Sequence, residues 1–143
     1  MSRTLVVVAV EAERDALGAA CLGSAAVEVV VAGIGRTNAA AATAEAIGFP
    51  LGAFAGNAVP ADRGLVLAFG PVGPVAPIAT VATCSGTDAA ALRVRSRTGS
   101  VAEAMEGAAV VHAALRAGVP GIELRSISNT TGDRPAQRWD MDA

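Results

Sequence analysis

A chain of 143 residues with 52% hydrophobic and 17% charged side chains is long enough to enclose a core within one domain and too apolar to be disordered. All 11 basic residues are arginine and the net charge is -2, so nothing provides the basic footprint of a nucleic-acid binder. The N-terminal apolar run is too short to span a bilayer and carries no signal-peptide pattern, while Cys21 and Cys84 stand apart from any ligand cluster, which argues against a metal site or disulfide framework and for a reducing cytoplasm.

Taken in chain order, Leu5 to Val10 is a continuous β-branched run and predicts a strand buried on both faces, as in parallel sheets. Glu11, Glu13 and Asp15 follow where that strand hands over to a helix. Acids there suit the helix dipole and its free N–H groups, and a carboxylate at the end of a first strand is also well placed for catalysis. Val27 to Ala32 predicts a second strand, Gly33-Ile34-Gly35 a tight turn, and the stretch from Arg36 an Ala-rich helix, together one α/β unit. Asn38 stands where a dinucleotide fingerprint needs its third glycine, so Gly33 and Gly35 predict a close backbone approach, either to the rest of the fold or to a ribose, water or phosphate.

From Ile47 the chain is punctuated by glycine and proline and reads as a loop, followed by a short strand from Leu65 to Ala68. The proline-rich GPVGPVAP leads to a strand from Ile78 to Thr83, a CSGT turn, and a helix with Arg93, Arg95 and Arg97 on a solvated face. Val101 to Ala117 predicts a helix with Val101, Met105, Ala108 and Leu115 on one face, stopped by Gly118 and Pro120. His112, the single histidine, reads as a packed or surface side chain of that helix. Ile122 to Ser128 predicts a strand whose alternation puts Arg125, Ile127 and Asn129 on one face, with Asn129 at the C-terminal end, where α/β sheets bind ligands.

With AVEAERDAL, AGIGRTNAAAATAEA, AEAMEGAAVVHAALRAGVP and LRSISNTTGDRPAQRW together, the chain resembles the nucleoside phosphorylase and nucleosidase superfamily. Within it the futalosine hydrolases, relatives of methylthioadenosine/S-adenosylhomocysteine nucleosidase, are the nearest match. The resemblance implies a three-layer α/β/α fold with a mostly parallel or mixed central sheet, hydrolysis of a purine N-ribosidic bond, a small-molecule purine nucleoside as substrate, and a homodimer or higher homo-oligomer; no cofactor and no metal are expected. Residue by residue, it implies that Glu13, or Glu11 two positions earlier, positions or activates water, that Glu106 binds the ribose hydroxyls while Met105 packs on the sugar, that Arg125 supports the water-site acid, and that Asn129 reads the base. Gly33 and Gly35 fall at the turn beside the substrate.

The chemistry is consistent with those types. Cleaving the bond from C1′ to the purine nitrogen builds positive charge on the ribose, which a nearby carboxylate stabilises. A second carboxylate acts as base toward water. An amide accepts from a protonated N7 and donates to O6, so Asn129 suits a 6-oxopurine such as the hypoxanthine of futalosine; alternatively Asn129 only caps the strand and opens the Thr130-Thr131-Gly132 turn. Arg134 or Arg138, in the tail ending at Trp139, is a candidate to pair with the benzoate carboxylate of futalosine.

Against the family pattern the chain is short. A single nucleosidase domain over residues 1–143 is expected to lack loop segments near 46/47, 68/69 and 97/98, and the C-terminal helix. Phe49 or Phe54 is the candidate for stacking on the base. Two other readings stand beside a futalosine hydrolase: another purine nucleosidase or a phosphorylase, and a non-catalytic nucleoside-binding domain.

Overall fold

The computed structural model describes residues 4–47 and 58–140. Phe49 and Phe54 lie outside them.

β1 (Thr4–Val8) pairs in parallel with β2 (Val27–Val31), Thr4 opposite Val27 and Val8 opposite Val31. The β-branched sequences of both strands favour this extended pairing. The first strand is shorter than Leu5 to Val10 suggests, because Val10 is already the N-cap of α1 (Glu11–Ala16). Leu5 to Val8 are half-buried, not enclosed on both faces, since among the described residues this sheet has two strands. Gly18, at φ +72, separates α1 from α2 (Gly18–Leu22). After β2, Gly33 and Gly35 adopt φ +86 and +99, values that a side chain would oppose, and turn the chain into α3 (Arg36–Ile47).

The second unit begins with α4 (Arg63–Phe69). This corrects the strand expected over Leu65 to Ala68: the Asp62 side chain accepts the Leu65 N–H at 2.9 Å and starts a helix, which a short apolar run permits as readily as a strand. A 3-10 turn at Gly70–Val72 leads to β3 (Ile78–Thr80), α5 (Asp88–Thr98), β4 (Ala102–Ala104) and α6 (Gly107–Arg116). β3 and β4 pair in parallel, Ile78 opposite Ala102 and Thr80 opposite Ala104.

Two further expectations change here. Val101 to Ala117 is not one helix: Ala102 to Ala104 pairs with β3 before α6 begins, so tertiary pairing overrides the helical preference of an Ala-rich segment. The end of that helix is as expected, with Gly118 at φ +70 and the Val119 N–H reaching Ala114 O at 2.9 Å. Ile122 to Ser128 joins no ladder among the described residues; its only pairing nearby is an antiparallel bridge between Asn129 and Trp139.

α3 packs on α6, and α3 also covers β1 and β2. The contact is made by small side chains: Ala39 and Ala113 are fully covered, and Thr43, at 2% exposure, folds its hydroxyl back to Ala39 O at 2.7 Å. Small residues let the helix backbones approach closely, which brings the glycine turn before α3 beside the start of α6. Among the described residues no helix is long and apolar enough to cross a membrane.

Candidate active site

β4 delivers Met105 and Glu106 at its C-terminal end, Glu106 standing at the N-cap of α6. The Glu106 carboxylate is tied on three sides. Oε1 accepts the Gly35 N–H at 3.1 Å, and Oε2 accepts the Met105 N–H at 3.3 Å and Arg125 Nη2 at 3.3 Å. With its side chain only 13% exposed, Glu106 joins the two α/β units and presents a fixed anion where little water screens it.

Arg125 also donates Nε–H to Glu123 Oε1 at 2.7 Å. Burial pulls its pKa down, but the hydrogen bond and charge of Glu123, then the charges of Glu106 and Glu13, outweigh this and hold it above the ordinary arginine value. The guanidinium therefore stays charged.

Glu13 reaches back over the start of α1, where Oε2 accepts the Ala9 N–H at 2.7 Å and the Val10 N–H at 3.4 Å. This is one half of a capping box; Val10 has no side-chain oxygen to supply the other. Glu13 nonetheless acts electrostatically on Arg125, whereas Glu11 is exposed and paired with Arg14.

A second group surrounds the turn after β3. Ser85, at 7% exposure, donates its N–H to Glu103 Oε2 of β4 at 2.7 Å. The C-terminal segment docks onto this turn: Arg134 N–H meets Gly86 O at 3.2 Å, and Gln137 Nε2 reaches Gly132 O at 2.8 Å and Ser85 O at 3.4 Å. Asp88 and Asp133 exchange hydrogen bonds, each backbone N–H meeting the other's Oδ1, at 3.0 and 3.1 Å. A Cβ on Gly86 would stand 2.8 Å from Arg134 Nε, so the bare backbone there lets the arginine lie over the turn. Asn129 is engaged within its own loop, accepting from Ser128 Oγ at 3.0 Å and donating to Thr130 O at 3.0 Å, with Gln137 Oε1 at 3.5 Å.

Cys84 stands on the turn after β3, its thiol pKa pushed up by partial burial and by the charges of Glu103 and Glu106, with Arg134 and Arg125 opposing the rise. Beyond it opens a cleft of about 960 Å³ between the Thr83–Thr87 turn and α5, lined among others by Leu92, Arg93, Arg97 and Arg134. Glu106 and Arg125 lie outside that lining. Among the described residues no group of three or more His, Cys, Asp or Glu could hold a metal ion.

The structure thus brings Gly35, Met105, Glu106 and Arg125 together, sets Glu13 within reach of their charge, and places Asn129 and Arg134 in the neighbouring group. Glu103, Glu123 and Gly107 are the participants that residue patterns do not flag. One signal was available, a glycine as the first residue of α6 directly after Met105-Glu106, where a poor helix former must earn its position by some other means.

Residues 63–143 match the pattern of the Phosphorylase superfamily. The chain belongs to that superfamily. The superfamily match includes Met105, Glu106, Arg125, Asn129 and Arg134, and leaves Glu13, Gly33 and Gly35 before it. Among curated relatives, the chain is similar to a futalosine hydrolase of Acidothermus cellulolyticus, 53% identical over 58 residues, which are 40% of this chain and 24% of the relative. It is also similar to futalosine hydrolases of Streptomyces coelicolor, 48% identical over 56 residues (38% and 24%), and of Thermus thermophilus, 39% identical over 85 residues (58% and 38%). The chain thus spans between 24% and 38% of these relatives' lengths. No solved structure matches it.

Proposed function

We propose that this chain hydrolyses the N-ribosidic bond of futalosine, releasing hypoxanthine and dehypoxanthinylfutalosine in menaquinone biosynthesis. The observation that carries this reading is the shielded Glu106 carboxylate, fixed by Gly35 and Arg125 at the end of a parallel strand, in a superfamily member similar to three futalosine hydrolases. In this reading Glu106 holds the ribose hydroxyls and stabilises positive charge on the sugar as the bond to the purine breaks. Met105 packs on the ribose; Glu13 takes a proton from the water whose oxygen bonds to C1′ as the C1′–N bond breaks, the purine leaves with that electron pair and takes a proton at N7 from solvent, and Asn129 exchanges its loop contacts for the O6 and protonated N7 of the base. Water is favoured over phosphate because the Gly35 N–H, which a phosphate at that turn would use, is already given to Glu106.

The two parallel pairs are then parts of one three-layer α/β/α domain, short of its family's segments near 46/47, 68/69 and 97/98. A homodimer or higher homo-oligomer is part of the reading, and the exposed Leu67, Val72 and Trp139 are surface available to it.

Incubation with futalosine, inosine and methylthioadenosine, with and without phosphate, tests the function. Hypoxanthine is expected from futalosine alone, at a rate independent of phosphate. Adenine from methylthioadenosine would overturn the role given to Asn129, and futalosine binding without base release would identify a non-catalytic binding domain. In the same reading the arginine-lined cleft takes the benzoate carboxylate. Arg134→Ala is expected to raise KM about tenfold or more with kcat nearly unchanged, as for the loss of a hydrogen bond to a charged group. An unchanged KM in both Arg134→Ala and Arg138→Ala would remove these arginines from substrate recognition.

A further inference from the structure

Arg125 faces two acids, Glu106 and Glu123, both with side chains less than 15% exposed, at 13% and 14%. Its stronger contact is not with the acid of the proposed sugar site. Nε meets Glu123 at 2.7 Å, while Nη2 meets Glu106 at 3.3 Å. Glu123 and Arg125 are two residues apart in an extended segment, so both side chains fall on one side while Leu124 between them is 55% exposed. The Glu123 carboxylate lies over the first residue of α6, in space open only because residue 107 has no side chain: a Cβ on Gly107 would overlap that carboxylate. The free N–H groups and positive dipole end of α6 favour an anion there.

We infer that Glu123 is a positioning residue: by holding Arg125 through Nε, it denies Glu106 the side-on pairing through Nε and Nη2, leaves Nη2 as the donor that meets Glu106, and keeps the cluster a net anion toward the sugar. An arginine with one carboxylate tends to pair bidentately, two parallel N–H···O bonds that cancel most of the charge. With Glu123 present, two anions share one cation. The cluster keeps a formal charge of -1, or -2 with Glu13, whose charge also reaches Arg125, and the excess lies on the side where positive charge develops in glycosidic cleavage. This rests on the nucleosidase reading for its catalytic consequence, but the hold of Glu123 on Arg125 is testable without it.

Two variants and two readouts decide the matter. In Glu123→Ala, Arg125 is released to pair with Glu106, so kcat for hypoxanthine release from futalosine is expected to fall about tenfold or more, less than the loss of a group touching the reacting atoms, with KM within about twofold of wild type. Glu123→Gln keeps an oxygen for Nε–H but loses the counter-charge, and kcat is expected between the two. An unchanged kcat in Glu123→Ala, or parallel losses that track the folded fraction in both variants, would overturn the proposal. The second readout is the hydrogen exchange of the Arg125 Nε–H by nuclear magnetic resonance, assigned by its loss in Arg125→Lys. Slow exchange in wild type and fast exchange in Glu123→Ala are expected. Equal exchange would overturn the proposal, and this arm decides even if the wild-type protein releases no base, a result that would count against the function alone.

Discussion

Glu106→Gln is expected to lower kcat for hypoxanthine release by about 10²- to 10³-fold, the range for removing one preorganised electrostatic contact to a transition state, while the folded protein persists. The amide keeps an oxygen for the Gly35 N–H, now met by the charged Oε1 at 3.1 Å, so the contact between the two α/β units survives. Arg125 keeps Glu123 as counter-ion at 2.7 Å, so no guanidinium is left unpaired. What disappears is the charge that the proposed function directs at the ribose. KM should rise less than kcat falls, because an amide still hydrogen-bonds the sugar hydroxyls in the ground state. Initial rates with futalosine, alongside thermal denaturation of both proteins, check this. Activity within threefold of wild type in a folded Glu106→Gln protein would remove Glu106 from the chemistry.

The part of this site that is legible in sequence is the part made by local rules. A β-branched run, two glycines and an Ala-rich stretch prescribe β2, the Gly33–Gly35 turn and α3, because positive φ and strand and helix preferences act over a few residues. Acids after β1 prescribe the start of α1, and Gly118 the end of α6. Less was legible where partners lie far away in sequence. Ala102 to Ala104 is a strand only because Ile78 to Thr80 lies beside it; by itself it reads as the first turn of a helix. The consequence is functional, since Met105 and Glu106 stand at the mouth of a strand-to-helix junction and not along a helix face. Leu65 to Ala68 went the other way, its period too short to separate strand from helix until Asp62 caps it. Glu123 was invisible for a similar reason: nothing local distinguishes it from a surface acid, and its role arises from Arg125 beside it and Gly107 across from it.

Gly107→Ala separates packing from backbone freedom at that junction. Gly107 is the first residue of α6 and is not among the positive-φ glycines, so alanine has no conformational penalty there and carries a helix-propensity advantage of up to about 1 kcal/mol. The obstacle is the Glu123 carboxylate, which the new methyl would overlap. A carboxylate at the end of a two-methylene stem moves more easily than backbone, so Glu123 swings out, Arg125 loses its Nε partner, and the guanidinium turns to Glu106. Gly107→Ala is therefore expected to melt within a few degrees of wild type yet to lose kcat about tenfold or more, as Glu123→Ala does. The decisive comparison is the double variant. If both substitutions act by removing the same contact, Gly107→Ala with Glu123→Ala is no slower than Glu123→Ala alone, a non-additivity characteristic of residues in direct contact. Losses that multiply would show that the methyl harms the site by another route, and a Gly107→Ala protein with wild-type kcat would show that the cluster tolerates displacement of Glu123.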